Sequence, residues 1–213
     1  EAVRLEMFAL LGKLVSQFAE TSSKYAAFRP LLAEGRDESN VFTCINHLQV
    51  HRRARAIRQI VDFSGVPADT QLYVEILMPM LMRYCVYDAD AGDAVPAPLV
   101  HMEACRTVGW VMGTCMSWGV LLRQIRQLVK QVAAPKHPGA DKQALKLLPT
   151  ILEFFDNVRL QVSSEQLSVQ LLPVLFEAMK GKSQVSAAAS SIKHPQLAVA
   201  VAELLKRLPE ECC

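Results

Sequence analysis

The residues best suited to binding chemistry lie in one short segment that is rich in cationic side chains. Residues 47–58 read His-Leu-Gln-Val-His-Arg-Arg-Ala-Arg-Ala-Ile-Arg. At about 100° per residue on a helix, the cationic side chains gather opposite the isoleucines, so the pattern predicts a cationic stripe. Such a stripe is either a solvated helix face or a contact for phosphate groups or an acidic partner. The candidate contacts for RNA or an acidic partner are His51, Arg52, Arg55 and Arg58.

Arg53 differs from its cationic neighbours, because the same geometry places it on the apolar face of the predicted helix. A guanidinium in that position needs a carboxylate, backbone carbonyls or a phosphate to offset a desolvation cost of several kcal/mol. We therefore expect Arg53 to order the packing between helices. Its replacement by methionine is expected to leave the fold nearly intact.

Residues that could form an active site do not assemble at recognisable spacing. His47 and His51 are predicted to stand one helical turn apart, but two imidazoles without a nearby carboxylate make a weak metal site. The acidic loop over 88–93 lacks the later bidentate glutamate of a calcium loop. We therefore predict no enzyme, and no catalytic residue, cofactor, metal site or small-molecule substrate. An unfamiliar helical enzyme that uses the two histidines or a cysteine is the weakest alternative.

The composition indicates what kind of protein presents these residues. Apolar residues make up 51% of the 213 residues and aromatic residues only 7%, which is typical of helix-on-helix packing. The net charge is only +2, so any attraction for nucleic acid must come from local clustering. No apolar run approaches the roughly 20 residues that span a bilayer, and the six cysteines show no C-x-x-C spacing. We expect a soluble intracellular protein that makes no membrane contact.

Apolar residues at three- and four-residue spacing predict about eight helices. Their approximate ranges are 1–19, 40–64, 68–86, 98–117, 119–132, 140–156, 164–180 and 187–207. Short connections between long amphipathic helices favour antiparallel neighbours. The sequence therefore predicts an all-α fold, an α-solenoid of HEAT/armadillo-like antiparallel helix pairs, with a compact bundle as the alternative.

Prolines and glycines inside the predicted helices indicate where their geometry is special. Pro79, Pro149 and Pro173 each remove a backbone donor, so kinks are expected there. Gly109 and Gly113 stand four residues apart on one helix, and we expect them to admit a close neighbouring backbone.

Several segments resemble one known family in the same order along the chain. They are residues 47–58, 76–80 and 103–109 leading to Ser117 and Trp118, followed by 146–155, 195–200 and 204–209. The sequence is similar in these segments to the DRIM family, very large helical-repeat proteins associated with the U3 small nucleolar RNA in the small-subunit processome. The H-x-x-x-H-R-R-x-R-A segment is the most distinctive, and the resemblance covers most of residues 41–209.

The resemblance implies a non-catalytic scaffold of the small-subunit processome, the 90S pre-ribosome that contains the U3 ribonucleoprotein. The implied role is ribosome biogenesis through processing of the small-subunit rRNA precursor, and the implied localisation is the nucleolus. The implied partners are other processome proteins, together with pre-rRNA or U3 small nucleolar RNA. A helical-repeat adaptor unrelated to ribosomes, such as a nuclear transport or trafficking scaffold, fits the composition and periodicity equally well.

The family's long acidic insertions between repeats are missing from this sequence. Either this member of the family is compact, or linkers near 33–40, 157–163 and 181–187 are left out of the sequence. We therefore expect residues 1–213 to be one continuous α-helical repeat segment of a much longer protein.

Overall fold

The computed structural model describes residues 2–32, 40–64, 70–85, 97–135, 140–155, 162–180 and 194–207. Within these ranges the chain is helical and contains no strand, so the predicted all-α class is confirmed there. In chain order the helices are α1 (Ala2–Phe18), α2 (Ser23–Ala26), a 3₁₀ turn (Arg29–Leu32), α3 (Val41–Cys44), α4 (Val50–Ser64), α5 (Met78–Cys85), α6 (Pro98–Cys115), α7 (Trp118–Ala133), α8 (Ala140–Glu153), α9 (Ser164–Gln166), α10 (Leu172–Lys180) and α11 (Pro195–Arg207).

The single helix predicted over 40–64 is two helices, because α3 ends at Cys44 and α4 begins at Val50. Asn40 caps the start of α3, because its side-chain oxygen accepts hydrogen bonds from the backbone amides of Phe42 and Thr43. Val41, Phe42 and Cys44 of this one-turn helix are buried, and the helix ends before the more polar residues that follow. The chain turns back to the surface at Leu48, whose exposed fraction is 95%.

This turn corrects the prediction that His47 and His51 stand one turn apart on one helix. His47 lies in the turn, and its Nδ1 accepts a hydrogen bond from the amide of Gln49 at 3.0 Å. His51 lies in the first turn of α4. The two imidazoles therefore belong to different local structures.

π-helical turns precede two of the three prolines at which kinks are predicted. Residues Tyr73–Leu77 and Leu167–Leu171 form these turns, and the amide after each turn bonds to the carbonyl five residues earlier. A proline ring clashes with the carbonyl four residues before it, and a π-helical turn moves that carbonyl aside. This accounts for the turns before Pro79 and Pro173, whereas Pro149 lies within α8.

The chain divides into two compact units, and the first contains residues 1–85 and 96–111. An aromatic cluster lies in its core. The rings of Tyr73 and Phe28 stack with centroids 4.4 Å apart, and Trp110 meets Tyr73 edge-on at 5.7 Å. The Tyr73 hydroxyl also donates a hydrogen bond to the carbonyl of Ala27 at 3.0 Å. Tyr73 thus joins three segments that are distant in the sequence.

The second unit contains residues 86–95 and 112–213. Within it, α7 packs against α8 and α10 packs against α11, which gives two helical pairs. The pairs also stack, because α7 contacts α10 and α8 contacts α11. The first helix of one pair therefore contacts the first helix of the other pair, and the two second helices also contact each other.

The domain organisation stays a prediction over the rest of the sequence. The expected linkers near 33–40, 157–163 and 181–187 fall largely outside the described residues. The expectation of one continuous repeat segment over 1–213 likewise remains untested.

Candidate anion-binding site

A concave depression with a volume of about 210 Å³ lies beside the first half of α4. The described residues that line it are Cys44, His51, Arg52, Arg55, Ala56 and Gln59. Three of the four predicted contact residues are therefore brought together around one concavity. None of the six lining residues carries a carboxylate, so the charge of this depression is cationic.

Helical periodicity explains how α4 supplies five of these residues. Arg52, Arg55, Ala56 and Gln59 follow His51 by one, four, five and eight residues, and these spacings place all five on one face of an α-helix. α4 presents that face to the depression. Cys44, at the end of α3, completes the lining. Because the chain turns back between α3 and α4, the end of one helix lies beside the face of the other.

The depression has a neutral floor and a cationic rim. Cys44, Ala56 and Gln59 are buried, with exposed fractions of 6%, 1% and 7%. His51 and Arg55 are exposed, whereas Arg52 is half-buried. An anion seated here would meet guanidinium groups at the rim and the Gln59 amide at the floor, an arrangement suited to multidentate oxygen anions.

Arg58, the fourth predicted contact residue, pairs with a carboxylate of its own chain. Its Nε donates to Oε1 of Glu103 at 3.0 Å, and its Nη2 forms an ion pair with the same oxygen. The hydrogen bond to Glu103, the charge of Glu103 and the charge of Asp62 raise the pKa of Arg58 above its ordinary value. Because the pKa is raised, the stabilisation that Arg58 contributes is present at neutral pH and is lost only as the pH rises through the range in which arginine loses its proton. Arg58 therefore remains charged throughout the neutral range.

The partner of Arg58 belongs to a series of buried polar residues on α6. Glu103 and Thr107 have exposed fractions of 3% and 0%, and the Thr107 hydroxyl donates to the carbonyl of Ile57 at 3.2 Å. On the same helix, Nδ1 of His101 donates to the carbonyl of Tyr84 at 2.9 Å. Sequence reasoning missed the link between α4 and α6. One indication of it was present in the sequence, because Glu103 is the one acidic residue in the largely apolar segment over 98–115.

Arg53 is half-buried, and its Nε is buried without a hydrogen-bond partner among the described residues. This position agrees with the expectation that Arg53 lies toward the packed side of the helix. It does not line the depression. The structure thus separates Arg53 from the rim arginines, as the sequence pattern does.

Replacing Arg58 by methionine is expected to lower the thermal unfolding midpoint by several degrees, because it leaves the buried Glu103 carboxylate without its cation. Replacing Arg53 by methionine on the same helix is the matched control and is expected to leave the midpoint nearly unchanged. The double variant Arg58→Met/Glu103→Met should recover most of the loss, because it removes the unpaired charge. Equal midpoints for the two single variants would show that the ion pair does not fasten α4 to α6.

Other reactive side chains form no further site in the described part of the chain. No group of three histidine, cysteine, aspartate or glutamate residues lies close enough there to hold a metal ion. The acidic loop over 88–93 lies outside the described residues. Cys44, Cys105 and Cys115 are buried thiols, and burial raises the pKa of Cys115 to about 12. The described helices include none that is both long and apolar enough to cross a membrane.

The described residues define a class: a helical protein whose second unit has stacked helix pairs and whose first unit has a concave cationic depression beside α4. Comparison with protein-family models gives no match, and comparison with solved structures gives none either.

The chain is similar to two curated proteins that bear one name, U3 small nucleolar RNA-associated protein 20. It is 30% identical to the Schizosaccharomyces pombe protein over 87 residues, which are 40% of this chain and 3% of that protein. It is 25% identical to the Saccharomyces cerevisiae protein over 148 residues, which are 70% of this chain and 6% of that protein. The resemblance to the DRIM family is confirmed at this level of partial similarity. The chain thus spans only a small part of the length of these relatives.

Proposed function

We propose that this chain is a segment of a non-catalytic scaffold of the small-subunit processome. The observation that carries the proposal is the similarity to two yeast proteins whose names associate them with the U3 small nucleolar RNA. In this role the protein supports ribosome biogenesis and processing of the small-subunit rRNA precursor. Its site of action is the nucleolus, and its partners are other processome proteins with pre-rRNA or U3 RNA.

The architecture supports a scaffold role. Helix pairs that stack first on first and second on second can extend into an α-solenoid of HEAT/armadillo-like pairs, which presents long surfaces to partners. The candidate site holds a neutral concavity with a cationic rim and no assembled catalytic group among its lining residues. Binding and positioning of a partner are therefore the activities that this chemistry serves.

The contact surface in this proposal consists of His51, Arg52, Arg55 and Arg58. The first three line the depression, and Arg58 lies on the same helix beside its buried partner Glu103. Displacement of counterions by these cationic groups would make the binding weaken as salt concentration rises.

The proposal is tested by in-cell ultraviolet crosslinking of the full-length protein, followed by sequencing of the attached RNA. Wild type is expected to enrich U3 or precursor ribosomal RNA several-fold. A variant with His51, Arg52 and Arg55 changed to serine, which leaves the Arg58–Glu103 ion pair intact, is expected to reduce that enrichment. Unchanged enrichment in the variant would support the processome assignment and would show that these residues are not part of the RNA-binding surface. Absence of both RNAs from the wild-type sample would favour a helical adaptor of nuclear transport or trafficking.

A further inference from the structure

The depression beside α4 differs from an ordinary cationic helix face in its shape. A solvated stripe projects its charges outward, whereas Arg52 and Arg55 here border one concavity with a buried floor. The volume of about 210 Å³ has room for several water molecules, each of which occupies roughly 30 Å³ in the liquid. An anionic group with three or more polar atoms therefore fits among these residues.

The wall of the depression is held in place before any ligand arrives. Glu103 engages Arg58 and Thr107 donates to the carbonyl of Ile57, so two polar contacts fasten α4 to α6. A site whose side chains stand on a fastened helix loses less entropy when it binds. Arg58 therefore also positions this wall, through its ion pair with the Glu103 carboxylate.

We propose that this depression binds a phosphodiester group of single-stranded RNA, with Arg52 and Arg55 on the phosphate oxygens and the Gln59 amide on the adjoining ribose. The inference depends on the proposed function in one respect, which is that the proposed function makes RNA the source of the phosphate. Two guanidinium groups around one concavity fit a phosphate better than a single carboxylate, because a phosphate carries more oxygen atoms that can accept their hydrogen bonds. The Gln59 amide both donates and accepts, as a ribose hydroxyl requires of its partner.

The test is fluorescence anisotropy of a labelled short oligouridylate titrated with the purified 213-residue chain. The variant Arg52→Ser/Arg55→Ser is expected to raise Kd at least about tenfold, because it removes two charge-assisted hydrogen-bonding groups. The slope of log affinity against log salt should also fall by about 0.7 for each phosphate that the variant no longer neutralises. Arg52→Lys/Arg55→Lys keeps the charge without the fork and should show an intermediate loss of affinity.

The matched control is Arg123→Ser/Arg126→Ser, which removes the same charge from exposed positions on α7. It is expected to change Kd by less than about twofold. Equal losses of affinity in the two serine pairs, at unchanged thermal midpoints, would overturn the inference in favour of diffuse charge attraction. Equally tight binding of an oligoglutamate of matched charge would overturn it in favour of an acidic protein partner.

Failure of this inference is distinguishable from failure of the proposed function. If the full-length protein copurifies with U3 RNA while the purified chain shows no selective loss of affinity in the Arg52 and Arg55 variants, only the phosphate site is wrong. If binding to oligouridylate depends on these arginines and U3 RNA is absent from the cellular complex, the site stands and the processome assignment fails.

Discussion

Truncation of Tyr73 to alanine is expected to lower the free energy of unfolding by about 3–5 kcal/mol, the range for removal of a large buried aromatic side chain. The side chain is fully buried and its ring lies between Phe28 and Trp110, so the surrounding chain cannot easily close the cavity. Urea denaturation followed by circular dichroism, extrapolated linearly to water, measures the change.

Tyr73→Phe is the control for the ring alone. It keeps the aromatic packing and removes the hydroxyl that donates to the carbonyl of Ala27, so a smaller decrease of about 1–3 kcal/mol is expected. If the alanine variant is no less stable than the phenylalanine variant, the aromatic cluster is not the centre of this core.

Gly113→Ala is expected to destabilise the chain by about 1–3 kcal/mol, although alanine normally favours a helix. A Cβ at this position would lie 2.8 Å from the carbonyl oxygen of Phe154 and 3.0 Å from that of Ile151. Both neighbours are backbone atoms at the end of α8, so the whole helix end must shift to make room. Urea denaturation again measures the change in stability.

Gly119→Ala is the matched control, because no atom lies within 4 Å of the corresponding Cβ position. There the gain in helix propensity is unopposed, and the variant should be as stable as wild type or more stable by up to about 1 kcal/mol. Destabilisation by both alanines to the same extent would point to a general loss of helix quality and would contradict the close approach at Gly113.

The sequence could predict those features that arise from local periodicity. Apolar spacing located α4, α7 and most of the other long helices, and the same periodicity on α4 brought Arg52 and Arg55 to one side. The expected close packing at Gly113 also follows from the structure, because a backbone approaches it directly. Each of these features depends on residues within a few turns of one another.

Local sequence patterns could not predict the features that depend on tertiary structure. The short helix α3 buries Val41, Phe42 and Cys44 against α1, α4 and the 3₁₀ turn, so the break between α3 and α4 depends on these tertiary neighbours. Glu103 lies 45 residues from Arg58, so a single acidic residue in a mostly apolar helix indicates that Glu103 needs a partner but not which residue it is. The concavity itself needs Cys44 beside Gln59, and only the turn between the two helices brings them together.

Folding of the second unit can begin before its chain is complete, because α7 and α8 are neighbours in both sequence and space. Closing a short loop costs little entropy, and pairings of this kind form rapidly. A nascent chain that emerges amino-terminus first would present the docked α7–α8 pair as a template for α10 and α11. Apolar surface would then be covered one pair at a time during synthesis, which reduces the exposure that leads to aggregation.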